Sequence, residues 1–177
     1  MKRQINTGLA SEQECNQMFN AEFHRLRHSS ILCWLATVDG SGQPNVSPKE
    51  VFAAVGDRHL VFANIASPTS VRNVLSGSRA CASFIDIFVQ KGYKVSGPAK
   101  YIRRDSTEFA QWGDILVEIA EPKFSVHGLI LVQAERVEPI VAPSYRLDPN
   151  LSEVSQVTSA MKTYNIAGLS EDLLTKR

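Results

Sequence analysis

Short apolar runs at close spacing, each stopped by turn residues, constrain this chain more than any other feature. Ile31–Val38 is strongly apolar and ends at Asp39-Gly40-Ser41-Gly42, a hairpin-type turn. Asn45–Ala54 returns, Gly56-Asp57-Arg58 turns again, and His59–Asn64 makes a third run. Arg79–Asp86, Tyr93–Ile102 and Gly128–Val137 complete six, with Pro139 closing the last. Antiparallel strands joined by tight turns, with few long connections, predict a small closed or partly closed barrel; an α+β sandwich has the same periodicity.

Helical patterns are inserted between these runs. Ser11-x-x-Glu14 is a capping box that opens a predicted helix reaching about His28, with Met18, Phe19, Phe23 and Leu26 at core-facing spacing. Asp105 or Ser106 starts a second helix through about Ala120, stopped by Pro122, and Ser152–Tyr164 forms a last one. Pro143–Asn150 reads as a loop. One domain is expected over residues 1–177, with its core at about 31–140 and a C-terminal loop and helix at 141–177.

Composition excludes several functions. A net charge of +1 offers no field for nucleic acid or an anionic membrane. Every long apolar stretch is cut by charges, so no membrane partner is expected. The first residues lack the apolar stretch of a signal peptide, and the three cysteines, Cys15, Cys33 and Cys81, are far apart and odd in number. Both features point to reduced thiols and a cytoplasmic location. His24 and His28 lie four apart, but no carboxylate or cysteine is placed to complete a metal site, and none is expected. Trp34 and Trp112 read as core residues, and His127 as a strand-start histidine.

The chemistry is concentrated at Ala63–Asn73. The strand ends at Asn64, Ser67 is placed to cap a helix, Pro68 fits its first position, and Thr69 and Ser70 follow in the first turn. Backbone N–H groups and hydroxyls there meet the positive end of the helix dipole, an arrangement suited to a phosphate. Lys49 or Arg72 is the candidate cation beside it.

Taken in order, Leu35–Pro44, Val46–Lys49, Leu60–Asn64, the Ser67–Asn73 helix start, Arg79–Asp86 and Gly92–Ala99 resemble the pyridoxamine 5′-phosphate oxidase-like superfamily. The resemblance implies an α+β, mainly β fold: a six-stranded antiparallel split β-barrel with flanking helices. It also implies FMN held at the interface of a homodimer, and an oxidoreductase acting on a small-molecule substrate. By position, Asn45, Val46, Ser47, Pro48 and Lys49 would line the flavin edge, with Lys49 near the flavin or its phosphate. Ala63 and Asn64 would lie by the ribityl chain, and Ser67, Thr69 and Ser70 would meet the phosphate. Lys91 and Tyr93 would reach the partner's flavin.

Authentic pyridoxamine 5′-phosphate oxidase activity is not expected. Those oxidases carry basic residues where Thr69 and Ser70 stand, and an Arg-x-His motif near the C-terminus, whereas Leu151–Arg177 contains no histidine. The alternatives are a non-catalytic flavin- or haem-binding module of the same fold and, third, a deazaflavin-dependent reductase. The near-neutral charge argues against the long anionic tail of a deazaflavin.

Overall fold

The computed structural model describes residues 18–77, 79–120 and 123–166. Thirteen elements follow one another: α1 (Ala21–Ser29), β1 (Cys33–Val38), β2 (Pro44–Lys49), β3 (Phe52–Val55), β4 (His59–Asn64), α2 (Pro68–Leu75), β5 (Arg79–Asp86), β6 (Lys91–Arg103), α3 (Phe109–Ala120), β7 (Gly128–Gln133), β8 (Arg136–Val141), α4 (Ser144–Leu147) and α5 (Glu153–Thr163).

All strands join one antiparallel sheet in the order β2-β1-β5-β6-β7-β4-β3, with β8 also on β6. Its two terminal strands, β2 and β3, are joined by Glu50 and Val51, and the Ala63 N–H donates to the Val51 carbonyl at 3.0 Å. The sheet therefore curls almost shut and leaves a gap beside that connection. This is a split barrel of mixed α+β, mainly β, character, with eight strands where the sequence predicted six.

Both extra strands come from bends inside predicted runs. Glu50 and Val51 break Asn45–Ala54 into β2 and β3. Ala134 and Glu135 break the last run into β7 and β8, the Ala134 N–H bonding Arg58 and the Glu135 N–H bonding Ser96. That corner presses on β6: a Cβ at Gly97 would stand 1.8 Å from the Gln133 oxygen, so only glycine fits. Pro139 does not end the strand but sits within β8, opposite Tyr93, on a strand paired only with β6.

The core has two parts. Leu60 and Phe62 of β4 point into the barrel with Leu35, Phe84, Val95 and Ile130, while Val61 and Ala63 face Leu116 and Ala120 of α3. Burial on both faces explains why β4 is a continuous apolar run. α1 supplies Phe23, stacked on Phe19 at 4.0 Å and edge-on to Phe84 at 5.2 Å. Ser11 and Glu14 lie outside the described residues, and so does Pro122. Within them α1 starts at Ala21, where Asn20 accepts the Phe23 N–H at 2.8 Å, so Met18 and Phe19 precede the helix. α3 starts at Phe109, later than predicted, because Asp105 pairs with Arg103 and the buried Ser106 hydroxyl has no partner. The predicted 143–150 loop contains the short α4, and the predicted last helix is α5, where the Ser152 side chain accepts the Ser155 N–H. No helix among the described residues is long and apolar enough to cross a membrane.

Candidate functional site

The gap in the barrel is where the sequence placed its chemistry. β2 is an edge strand, so its side chains alternate between two environments. Asn45 and Ser47 are half-buried and Lys49 is buried, while Val46 and Pro48 are exposed on the opposite face. The predicted flavin edge of Asn45–Lys49 is therefore divided between two faces.

α2 lies against the inward side of β2 and is fastened there by a polar cluster. Ser70, 1% exposed, receives a hydrogen bond from Asn45 Nδ2 at 3.1 Å and shares one with Ser47 at 2.9 Å. Buried Asn73 donates to Thr37 at 3.0 Å. The Ser70 hydroxyl is thus engaged with β2, and a ligand would meet it only by displacing those contacts. Thr69 and Arg72 are exposed. The first intrahelical bond of α2 runs from the Val71 N–H to the Ser67 carbonyl at 3.0 Å, which leaves the Thr69 and Ser70 N–H groups at the open end of the helix.

Ser67 does not cap α2 with its side chain, contrary to expectation. Its hydroxyl accepts from Lys49 Nζ, and its N–H donates to Asn64 Oδ1 at 3.2 Å. Asn64 Nδ2 reaches the Tyr101 hydroxyl at 3.4 Å, which donates to the His127 carbonyl at 3.2 Å. Asn64 is consequently the tie between the end of β4 and the start of α2.

Lys49 is the exceptional group. It is 4% exposed, and burial pushes its ammonium down to about 8, with the Cys33 side chain opposing that shift. Among the described residues no carboxylate forms an ion pair with it. Burying a cation without a counter-ion is costly, so such a residue marks a place where an anion would be stabilised. Cys33 supplies no anion near neutrality, since burial pushes its thiol up to about 12.

Lys49 and Ser67 line a cleft of about 190 Å³ at the gap. Val51, Ala63, Ile65, Ala66 and Phe124 form its other walls, with Pro48 and Glu50 also bordering it. Ile65, Phe124 and Tyr101 were missed by sequence reasoning. Phe124 follows a helix end at a distance of 75 residues from Lys49, and no local pattern reports such proximity.

Lys91 and Tyr93 do not reach this cleft within the chain. The register Lys49–Cys33–Phe84–Tyr93 puts them three strands away, roughly 14 Å at ordinary strand spacing. They line a separate groove of about 250 Å³ beside α1 and β8. Lys91 is paired there with Glu153 at 2.7 Å and lies 4.5 Å above the Tyr145 ring. Trp34 is not core but 47% exposed, and it shares the outer face of β1 and β2 with Val38 and Val46. Among the described residues, no group of three or more His, Cys, Asp or Glu could hold a metal ion.

The curled antiparallel sheet agrees with what a family comparison finds. The family model described as Pyridoxamine 5′-phosphate oxidase matches residues 19–140. The chain belongs to this family. A search of curated proteins finds no match. Among solved structures, HupZ of Group A Streptococcus is similar at 22% identity and a TM-score of 0.58, over 68% of this chain and 92% of that one. A protein described as a putative pyridoxamine 5′-phosphate oxidase from Lactobacillus delbrueckii is 22% identical with a TM-score of 0.56, over 67% and 92% of the two chains. An FMN-binding protein from Syntrophomonas wolfei is 14% identical with a TM-score of 0.52, over 68% and 84%. At these identities the likeness is one of fold, and it agrees with the split barrel of the oxidase family.

Proposed function

We propose that this member of the pyridoxamine 5′-phosphate oxidase family binds FMN, with the phosphate at the gap between β2 and α2, and acts as an oxidoreductase on a small molecule. The observation that carries this reading is Lys49, a buried cation with a hydroxyl for its only hydrogen-bond partner among the described residues. A phosphate bears close to two negative charges and would supply the missing counter-ion. Ser67 orients the ammonium, and the open N–H groups of Thr69 and Ser70 are the further donors. Ser70, Asn45 and Ser47 hold α2 in place rather than grip the ligand. Asn64 fixes the turn that presents Ser67. FMN supplies hydride transfer when bound; the residues here position it and limit water access.

A cleft of about 190 Å³ is below the usual range of ~300–1,000 Å³ for a cofactor pocket. It suits the phosphate end and leaves the ring to be covered from elsewhere. A second copy of the chain is the proposed cover. The outer face of β1 and β2 exposes Trp34, Val38 and Val46, at 47%, 37% and 59%, and such a contiguous apolar patch favours burial in a homodimer.

A second reading, a flavin-holding module without turnover, draws on the hydrogen bonds around the cleft. Asn45, Ser47, Asn64 and Ser70 are engaged with one another or with the backbone, which suits holding a ligand better than exchanging protons with a substrate. The test is a visible absorption spectrum after mixing with FMN and desalting. Retained flavin bands support the proposal, and their bleaching by NADH or NADPH separates enzyme from module. A colourless protein, or a haem-type Soret band on the purified protein, overturns it.

A further inference from the structure

We propose that the Lys49 amine is also a covalent site, forming an imine with a small apolar aldehyde that enters the β2–α2 cleft. The inference is independent of the cofactor reading, because it requires only the cleft and the amine.

The geometry has three parts. Lys49 borders the cleft yet is 4% exposed, so a reagent reaches it through that opening rather than from open solvent. The walls formed by Val51, Ala63, Ile65, Ala66 and Phe124 are apolar, and about 190 Å³ admits a short carbon chain. Among the described residues no ion pair holds Nζ in its charged form: Glu50 on the same cleft is exposed and does not bond it, and burial keeps the Cys33 thiol protonated. A lysine desolvated among apolar groups is the usual setting for amine nucleophiles.

The step balances without a further reactant. Neutral Nζ attacks the carbonyl carbon, and the C–N bond forms as the carbonyl π bond breaks. The two N–H protons pass to the oxygen, which leaves as water, and nothing is oxidised or reduced. The Ser67 hydroxyl, already bonded to Nζ, is placed to relay a proton to the departing oxygen. With its ammonium pushed down to about 8, roughly a tenth of Lys49 is neutral at pH 7, against well under a thousandth of an ordinary lysine.

The experiment treats the full chain, without FMN, with butanal and cyanoborohydride at pH 7, and follows each lysine by peptide mass spectrometry. Lys49 is expected to be butylated at least about tenfold faster than exposed Lys123 and Lys162, with saturation as butanal is raised. Labelling of Lys49 no faster than those residues, or rising in strict proportion to butanal, overturns the proposal. Failure of FMN binding would leave this labelling unchanged, so the two readings fail separately. In Lys49→Arg the label should vanish from that peptide alone; its persistence there would also overturn the assignment.

Discussion

Lys49 Nζ donates to the Ser67 hydroxyl across the gap between β2 and the start of α2, and no carboxylate among the described residues shares the ammonium. The two residues, 18 apart at a strand end and a helix start, are joined by a bond from a buried cation to a neutral oxygen. The free energy lost in burying that charge is recoverable when an anion arrives.

Replacing Lys49 should therefore separate stability from binding. Lys49→Met keeps the length of the side chain and removes the charge. It should raise the unfolding free energy, by up to about 3 kcal/mol at pH 7 given the lowering from 10.5 to about 8. FMN affinity should fall by about 1.5–3 kcal/mol, the usual worth of a charge-assisted hydrogen bond. Urea unfolding and a flavin titration on the same preparation measure both; a less stable variant with full affinity would refute the assignment.

The same lysine predicts a pH dependence. The unfolded chain keeps the Lys49 proton to about pH 10.5, whereas the folded one releases it near 8. Unfolding therefore takes up a proton above pH 8, and stability rises with pH from there. Cys33 acts oppositely: its folded thiol keeps its proton to about 12 and the unfolded thiol loses it near 9.0. The rise should be confined to pH 8–9 and amount to about 1 kcal/mol in denaturant titrations. Lys49→Met should abolish it.

Ser67 and Ser70 should part company. Ser70→Ala deprives Asn45 and Ser47 of a buried partner and should cost about 1–3 kcal/mol of stability, with little change in FMN affinity beyond it. Ser67→Ala leaves Asn64 bonded to the backbone N–H but takes from buried Lys49 its hydrogen-bond partner, so it should weaken FMN as well as cost about 1–3 kcal/mol of stability. Thermal melts and flavin titrations on the two single variants distinguish these effects; equal losses of affinity would place both hydroxyls on the ligand.

Val46→Glu tests the outer face. Val46 is 59% exposed on an edge strand, so the change should leave the fold intact in a monomer. A carboxylate pressed against Trp34 and Val38 of a second copy would be buried without a counter-ion. Sedimentation should show a dimer for the natural sequence and a monomer for the variant. A natural sequence that sediments as a monomer would contradict the proposed interface.

Much of this was legible in the sequence because local rules carry it. Strand–turn punctuation located the strands, and Pro68 marked the start of α2. Long-range packing decided the rest. The Glu50–Val51 bend gives no Gly or Pro signal, so one run was read where there are two strands. Pro139 was read as a stop because its partner-free edge is a property of the sheet. Ser67 has the composition of a cap, yet a lysine on another strand claims its hydroxyl. At the site, the pattern showed which residue types gather, whereas the alternation of β2 decided that Asn45, Ser47 and Lys49 turn inward and Val46 and Pro48 do not.

Lys49, buried at the gap, should read the phosphate of its ligand. Parallel fluorescence titrations with FMN and with riboflavin, which differ only in that group, test it most directly. FMN should bind at least about tenfold more tightly, with the preference lost in Lys49→Met. Equal affinity for the two flavins, or a preference that survives in Lys49→Met, would contradict it.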